Sequence, residues 1–431
     1  MQAGELKMGK LLVLGTSLAS VEIIQTAREM GHYTIVTDNL QPDFSEAKKE
    51  ADEYWMISTS DLDLLEQKCR QEHIDAIFAG VSEYNLDRVK ELTSRLGLPC
   101  YIEDSAWLYA RDKSAFKNKC REIGVPVVEE YTVSDPPKPE ELAAREYPVV
   151  VKPVDGSGNK GLSICYNSDE LVAGCKKARE SAESGNLLIE RYVSGEETWN
   201  YYYLAQGEIR YVYSGRVFRQ PGYPTFLYLC GCTALTDYQS YKDQVNDKCI
   251  ALIKDIGCKH GIVWIQFIRD EKGRYYALEM AQRISADTSG RTIKRAVGVN
   301  ALEWMLDTAF GEDHTVEMLP KTSEPPYEAA HCVYYHFAKQ AGTIRKMSGY
   351  DELDPEKYQV SFVAHEGDHV DRYRLMARIV FNMYSGEDMC SAIREINSKT
   401  SILDENNNNM YIKFTDFENV QKSYKGLFKE D

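Results

Sequence analysis

The sequence predicts a multidomain protein of mixed α/β and α+β class, in which an open α/β domain comes first. Strand-like and helix-like segments alternate from residue 10 to residue 101, which is typical of βαβ units. From residue 147 onward, short apolar strands follow one another around glycine-rich turns, which indicates antiparallel sheet. With 431 residues and 43% hydrophobic content, the chain is long enough to form two to four modules with substantial cores.

A small open α/β domain is predicted over residues 8–110. The segment KLLVLG, which starts at Lys10, has the length and apolarity of a strand, helical spacing follows over residues 19–30, and strand character returns at His32. The turn at Gly15 lacks the G-x-G-x-x-G spacing that lets a backbone close on a pyrophosphate. We therefore expect this domain to be a scaffold or a substrate platform rather than a dinucleotide site.

A second domain is predicted over residues 111–325, with a flap subdomain at about 125–195. Within the flap, the strand YPVVVK is followed by a glycine-rich loop at 155–161 and a returning strand at 162–165. The remaining residues, 326–431, are predicted to form a separate C-terminal α+β lobe, because short glycine-punctuated strands precede a helix there.

Composition excludes several classes of partner. The formal net charge of -16 opposes nonspecific binding to nucleic acid and to anionic membranes. Eleven cysteines without a C-x-x-C pair are typical of a reducing compartment, and neither a bilayer-spanning apolar stretch nor a secretory leader is evident. We expect a soluble cytoplasmic protein that acts on small molecules. A homodimer is the expected assembly, because dimers are the commonest oligomers of soluble proteins.

The glycine-rich loop offers backbone N–H groups that could bind phosphate oxygens, and Ser157 and Gly158 lie at its centre. It does not match the P-loop pattern, and a loop of this kind is by itself more often a simple hairpin. Lys152 ends the preceding strand and could place a point charge on a phosphate. Lys113 is a weaker candidate of the same kind, since a solvated helix face would also explain it.

A hairpin is predicted around the turn at Asp270, and its two strands carry Gln266 and Glu279. Amide and carboxylate oxygens are ligands that suit Mg²⁺, and Mn²⁺ is the alternative ion. Arg283 follows four residues after Glu279 and could stabilise charge on a transferring phosphoryl group. Each of these residues alone would more often be structural.

A short strand at 187–190 leads into an extended segment whose backbone could pair with the edge of adenine. This hinge segment consists of Glu190, Arg191, Tyr192 and Val193. Glu197 could accept hydrogen bonds from ribose hydroxyls, and Glu196 competes for that role.

Four motifs in this order resemble those of the ATP-grasp superfamily, and together they span about residues 8–312. They are RDKSAFK at 111–117, VVVKP with its glycine loop at 149–161, IERYVSGEE at 189–197, and WIQF with LEMAQRI between 264 and 284. The resemblance implies that ATP is clamped between two antiparallel sheets after a preceding α/β domain. It also implies roles in ATP binding for Lys113, Lys152, Ser157, Gly158, Glu197 and the hinge segment, and in metal binding for Gln266 and Glu279.

The resemblance implies an ATP-dependent carboxylate–amine ligase that forms an acyl-phosphate and releases ADP and phosphate. Arg283 and Lys152 are then the expected catalytic residues, and Arg219 and Tyr223 are the expected substrate contacts. AGTIRK at 341–346 is similar to the C-terminal lobes of ATP-grasp carboxylases and L-amino-acid ligases, which favours ligation.

Two alternatives stay open. The WIQF strand resembles the carbamoyl-phosphate synthase branch, so carbamoyl-phosphate or bicarbonate-using carboxylase chemistry is the first. The second is a catalytically weak nucleotide-binding protein, because Ala281 stands where the family has an asparagine ligand for a second Mg²⁺. Gln282 is expected to face the opposite side of the strand.

Overall fold

The computed structural model of the chain describes residues 8–132, 134, 138, 141, 146–156, 160–224, 226–285 and 290–429. Its first sheet is parallel, with strand order β3-β2-β1-β4. The strands are β1 Lys10–Leu14, β2 Tyr33–Thr37, β3 Glu53–Trp55 and β4 Ala76–Ala79. The helices around this sheet are α1 Leu18–Glu29, α2 Glu46–Glu50, α3 Leu62–Glu72, α4 Glu83–Leu96 and α5 Asp104–Arg111. The predicted open α/β architecture is therefore confirmed.

The sequence determines this first βαβ unit locally. The apolar residues of β1 and β4 are buried on both faces, as parallel strands covered by helices require. Helix α1 begins after Ser17, whose hydroxyl accepts a hydrogen bond from the Ser20 N–H in a capping box. Gly15 adopts a positive φ of 81°, which glycine tolerates without steric cost at the turn between β1 and α1.

A three-stranded antiparallel sheet, here called the flap sheet, has the order β6-β5-β7. Its strands are β5 Val149–Pro153, β6 Ser163–Cys165 and β7 Leu187–Arg191, and α6 Lys113–Ile123 precedes it. Helix α7, Ser168–Ser181, packs on one face of this sheet and covers the alternating residues Val149 and Val151. The other face of the flap sheet remains available to a ligand.

An eight-stranded sheet, here called the central sheet, has the order β12-β11-β8-β9-β10-β13-β18-β16. Its strands are β8 Gly195–Ala205, β9 Glu208–Phe218, β10 Cys230–Cys232, β11 Gly261–Asp270, β12 Tyr275–Ala281, β13 Ala330–Phe337, β16 Gln359–Phe362 and β18 Leu375–Met383. Helices α8 Tyr238–Tyr241, α9 Asp247–Ile256, α10 Gly290–Val297 and α11 Ala301–Ala309 follow its strands in the chain. All neighbouring strands of this sheet are antiparallel.

Residues 326–431, the predicted C-terminal lobe, do not form a separate large sheet. Strand β13 pairs with β10, where Cys332 lies opposite Cys232, so three strands of this segment extend the central sheet. The short pairs β14 Gly342–Thr343 with β17 His369–Val370 and β15 Lys346–Ser348 with β19 Ser401–Leu403, together with helices α12 Gly386–Lys399 and α13 Phe417–Tyr424, complete the segment. The boundary near residue 325 stays a prediction.

No helix in the described part of the chain is both long enough and apolar enough to cross a membrane.

A buried ion pair connects the first domain to the C-terminal segment. The guanidinium of Arg378, on β18, donates to Oε1 of Glu22, on α1, over 2.7 Å. Gln359, on the edge strand β16, also donates to Oε1 of Glu22, over 3.2 Å. Burial raises the pKa of Glu22 against the opposing effect of Arg378. The contact between the first domain and the C-terminal segment is therefore polar and shielded from water, and its stability depends on both charges.

Replacing Arg378 by methionine should lower the free energy of unfolding by about 3–5 kcal/mol, because it leaves the Glu22 carboxylate buried without its charged partner. Urea unfolding followed by tryptophan fluorescence measures the change. The double variant Glu22→Leu/Arg378→Met should regain most of the lost stability, since it removes both charges. Equal destabilisation by the single and double variants would contradict the importance of the pair.

Candidate active site

A cleft of about 1050 Å³, measured to its open mouth, lies between the flap sheet and the central sheet. Its apolar walls come from both sides: Val150, Leu162 and Ile164 from the flap, and Val128, Ile268 and Leu278 from the segment before the flap and from β11 and β12. Two opposed apolar walls with charged residues at one end are suited to a flat aromatic base that carries an anionic tail.

The hinge segment lines this cleft, but much of its backbone is already bonded within the protein. The Arg191 N–H donates to the Glu129 carbonyl over 3.0 Å, and the Tyr192 N–H donates to the Pro148 carbonyl over 3.2 Å. Among the described residues, none accepts a hydrogen bond from the Val193 N–H. The Val193 N–H is therefore the hinge donor best placed to meet a ligand.

The side chain of Glu190 pairs with two lysines. It is buried, contacts the ammonium of Lys117, and lies 2.9 Å from Nζ of Lys152. Lys117, on α6, was missed by sequence reasoning, although it stands four residues after Lys113 and therefore on the same helix face. Burial, followed by repulsion from Lys152, lowers the pKa of Lys117.

Lys152 lines the cleft at the end of β5. Burial, followed by repulsion from the nearby Lys113, lowers its pKa to about 8. Its charge is therefore sensitive to pH in the range where most lysines stay fully protonated.

Lys113 connects the start of the glycine-rich loop to the predicted metal site. Its Nζ donates to the Gly156 carbonyl over 2.5 Å and lies 3.4 Å from Oε2 of Glu279. Ser157 and Gly158, predicted to contact phosphate, lie outside the described residues. The lysine thus stands between the start of the loop and the Glu279 carboxylate.

Gln266 and Glu279 are directly opposite each other on β11 and β12, so the hairpin places both side chains on one face, as the sequence predicts. Gln266 donates through Nε2 to Oε2 of Glu197 over 3.0 Å, which leaves its amide oxygen as the atom for a cation. Oε1 of Glu197 accepts a hydrogen bond from Arg219 over 2.6 Å.

The two oxygen donors fit a Mg²⁺ ion that takes its remaining ligands from phosphate and water. Within the described ranges there is no cluster of three or more His, Cys, Asp or Glu residues that could hold a metal by itself. Ala281 lies opposite Trp264, on the same face as Glu279, and adds no ligand. Gln282 is buried elsewhere, because it accepts from the Glu103 N–H and donates to the His260 carbonyl.

Arg283 follows the end of β12 and lies over the ring of Trp264, on the face of the sheet that carries Glu279. Its guanidinium lies 5.1 Å from the centre of the Trp264 ring and 4.0 Å from Glu83, on α4 of the first domain. Glu83 also pairs with Arg111 over 2.6 Å. Burial lowers the pKa of Arg283, while Glu83 and Glu279 oppose the change. Glu83 and Arg111 were missed by sequence reasoning, since no short motif joins residues from two domains.

Glu196 and Glu197, the two candidates for the ribose contact, face opposite sides of β8. Glu197 lines the cleft, whereas Glu196 points to the opposite face and pairs with Arg216 over 2.9 Å. Arg219, predicted as a substrate contact, lines the cleft beside Glu197. Tyr223, its predicted companion, is half-buried against the hydrophobic cluster of the C-terminal segment and is not among the described residues that line the cleft.

The string HEGDH at residues 365–369 matches the H-E-x-x-H pattern of zinc hydrolases, but it does not lie on a helix. It forms a turn in which Gly367 has a φ of 94° and the His365 N–H donates to the Asp368 carboxylate over 2.8 Å. The two histidines therefore lack the one-turn helical spacing that a zinc site of this type needs.

Comparison with known proteins agrees with this geometry. Residues 112–315 match the family model described as carbamoyl-phosphate synthase L chain, ATP binding domain. This match confirms the predicted resemblance to the ATP-grasp superfamily over this part of the chain. The small subunit of 2-oxoglutarate carboxylase from Hydrogenobacter thermophilus is 24% identical over 338 residues, which cover 70% of this chain and 67% of that protein.

The large chain of carbamoyl phosphate synthase from Thermoanaerobacter sp. is 25% identical over 265 residues. These cover 56% of this chain but 24% of that protein, so the present chain spans about a quarter of the carbamoyl phosphate synthase.

Solved structures confirm the fold class. An L-amino acid ligase from Bacillus licheniformis superposes with a TM-score of 0.75 at 17% identity, covering 92% of this chain and 99% of that one. The biotin carboxylase domain dimer of Hydrogenobacter thermophilus 2-oxoglutarate carboxylase, solved with MgADP, ADP and bicarbonate, gives a TM-score of 0.72 at 20% identity over 91% of this chain and 90% of that one.

The pKa of Lys152 predicts a pH dependence for ATP binding. Because a protonated lysine attracts phosphate and its pKa is about 8, the dissociation constant for a non-hydrolysable ATP analogue should rise about tenfold between pH 7 and pH 9. Calorimetric titration measures this constant. In the Lys152→Arg variant the side chain stays charged, so the constant should be nearly flat over the same range. A flat profile for the unmodified protein would remove Lys152 from the phosphate site.

Proposed function

We propose that the chain is an ATP-dependent, ADP-forming ligase that phosphorylates an organic carboxylate and joins the acyl group to an amine. The observation that carries this proposal is an apolar cleft lined by Lys152 and Glu197, beside which Lys113 lies 3.4 Å from Glu279 and Gln266 donates to Glu197. The match of residues 112–315 to an ATP-binding domain of this superfamily supports it.

The nucleotide would lie with its base in the apolar slot, facing the Val193 N–H, and with its ribose against Glu197. Lys113 and Lys152 would then contact the phosphates as point charges. Lys117 and Glu190 would hold Lys152 in position, since Glu190 contacts both ammonium groups. Arg219 would orient Glu197 through the 2.6 Å hydrogen bond.

The proposed reaction has two steps. A carboxylate oxygen of the substrate attacks the γ-phosphorus, which forms an acyl-phosphate and breaks the bond to the departing ADP. An amine nitrogen then attacks the acyl carbon, phosphate leaves, and the proton lost by the amine passes to the phosphate.

Mg²⁺, when bound through Gln266 and Glu279, would neutralise charge on the phosphate oxygens. Arg283 would stabilise the acyl-phosphate, because its guanidinium is held near Glu279 by Trp264 and Glu83 and is shielded from water. Lys152, at the opposite side of the phosphates, would hold the γ-phosphate in line for attack.

Bicarbonate-using chemistry is a second candidate, because the relatives of this chain include a 2-oxoglutarate carboxylase subunit and carbamoyl phosphate synthase large chains. It predicts ADP release that depends on bicarbonate and not on an organic acid. A nucleotide-binding protein with weak turnover is a third candidate, because Ala281 and the buried Gln282 leave the metal site with a single carboxylate.

The predicted location and assembly remain proposals. All eleven cysteines are free thiols and ten of them are buried, which supports a reducing compartment such as the cytoplasm. The biotin carboxylase domain of Hydrogenobacter thermophilus 2-oxoglutarate carboxylase was solved as a dimer, which supports testing this chain for a homodimer in solution.

The first test is release of ADP and phosphate from Mg·ATP with organic acids, amines and bicarbonate, alone and in pairs. Release that needs one organic acid and one amine is the expected result. Release with bicarbonate alone would favour the carboxylase alternative, and ATP binding without release under any mixture would favour the weak nucleotide binder.

The variant Glu279→Gln should bind ATP but lose at least 100-fold in the rate of ADP release, because the site then lacks its only anionic metal ligand. Glu271→Gln, at the exposed turn of the same hairpin, is the matched control and should leave the rate unchanged. Retained turnover in Glu279→Gln would overturn the metal assignment.

A further inference from the structure

Arg111, the last residue of α5, is surrounded by three carboxylates that come from two different parts of the chain. Its Nη1 donates to Oε2 of Glu83 over 2.6 Å, and its Nη2 donates to Oε2 of Glu183 over 2.9 Å. The third carboxylate, of Asp87, lies 3.7 Å from the same Nη2. Glu83 and Asp87 are on α4 of the first domain, whereas Glu183 follows α7 in the flap. One guanidinium therefore contacts both the first domain and the flap.

Further contacts fix Arg111 against the first domain. The indole N–H of Trp107, one helical turn before Arg111, donates to Oδ1 of Asp87 over 2.8 Å. Glu83 begins α4 directly after the N-cap residue Ser82, so the start of the helix sets its backbone direction. The side chains of Arg111 and Glu83 are 17% and 18% exposed. Because both are largely withdrawn from water, solvent and salt screen this pair less than they screen a surface pair.

The flap end of these contacts is the turn at Glu183, which holds the base of the glycine-rich loop. Both oxygens of the Asp155 carboxylate accept backbone N–H bonds from this turn, over 3.2 and 2.7 Å. The backbone N–H of Lys113 donates to the Val154 carbonyl over 3.2 Å. Arg111 and Lys113 are two residues apart in the chain. The junction of α5 and α6 therefore supports the base of the loop at two places.

Glu83 is shared between two guanidinium groups. Its Oε2 faces Arg111, while its Oε1 lies 4.0 Å from Nη2 of Arg283. Among the residues that the structure describes, Glu83 is the one carboxylate within 4.0 Å of the Arg283 guanidinium. The position of Arg283 thus depends on the same carboxylate that holds Arg111.

Resting on the proposed function, we propose that Arg111 is a positioning residue that links the base of the glycine-rich loop to Arg283. Through Glu183 it holds the loop that covers the phosphates, and through Glu83 it holds the guanidinium that stabilises the acyl-phosphate. Arg111 does not line the cleft and acts through these two carboxylates. A planar guanidinium suits this task, because two of its N–H groups point to two carboxylates at once, which a single ammonium group does not reproduce.

The contact with the loop is tested by the dissociation constant of a non-hydrolysable ATP analogue, measured by calorimetry. Glu183→Gln and Arg111→Met should each raise this constant about threefold, because the ion pair that they remove has one exposed partner. The double variant should match Arg111→Met alone, since both changes remove the same contact, and effects that multiply would overturn it. Glu180→Gln is the matched control, because Glu180 is similarly exposed and pairs with Lys176 within α7.

The contact with Arg283 is tested by kcat at saturating Mg·ATP, with the acid and amine that support turnover. Glu83→Gln should lower kcat at least about tenfold and change the dissociation constant of the analogue less than about twofold, since Glu183 stays in place. Arg111→Met should change both quantities. Arg111→Lys should restore at most one of them, and restoration of both would overturn the need for a guanidinium. Arg95→Met, also on α4 and also removing two ion pairs, is the control and should change neither.

Failure of this inference and failure of the proposed function give different results. If ADP is released and Glu83→Gln and Arg111→Met leave kcat unchanged, the ligase stands and the link to Arg283 is overturned. If no mixture supports ADP release, the fluorescence of Trp264 tests the same link, because the Arg283 guanidinium lies over that ring. This fluorescence is the difference between each protein and its Trp264→Phe form.

A shift of the Trp264 emission in Glu83→Gln and in Arg111→Met, but not in Arg95→Met, would support the link, and an unchanged emission would overturn it. The dissociation constants of the analogue test the contact with the loop whether or not the protein turns over. A protein that does not bind the analogue at all would overturn both the inference and the proposed function.

Discussion

The antiparallel register of β8, β11 and β12 is the constraint on which the candidate site depends. It places Gln266 opposite both Trp199 and Glu279, and it brings Glu197 within hydrogen-bonding distance of the Gln266 amide. A slip of one residue in either pairing would turn these side chains to the other face of the sheet. The Gln266–Glu279 pair and its contact with Glu197 are thus consequences of one hydrogen-bond register.

Positive charge in an acidic protein has to be assembled locally. The chain has a net charge of -16, yet Lys113, Lys117 and Lys152 converge on one end of the cleft, where Glu190 and Glu279 partly compensate them. Dehydration of this cluster lowers the pKa of Lys117 and Lys152. Such a cluster is suited to bind a polyanion, because the negative charge of a bound phosphate would stabilise the protonated lysines.

The first domain and the C-terminal segment contribute to the site by position rather than by motif. Glu83, on α4, approaches Arg283 from the first domain, and β13 extends the central sheet beyond β10. The Glu22–Arg378 pair joins these two parts of the chain directly. The geometry around Arg283 therefore depends on a contact with a residue that lies outside the ATP-binding domain.

Local patterns in the sequence were sufficient for the βαβ start, for the flap and for the hairpin that carries Gln266 and Glu279, because alternation and turn residues act over a few positions. Alternation also predicts correctly that Gln282 faces away from Glu279, and the structure shows where it goes. Other features needed contacts between residues distant in sequence. These include the burial of Glu190 between two lysines, the position of Arg219 in the cleft beside Glu197, and the approach of Glu83 to Arg283. Tertiary structure decided them, since burial and neutralisation of a charge depend on which distant side chains pack around it, and a short motif does not encode that.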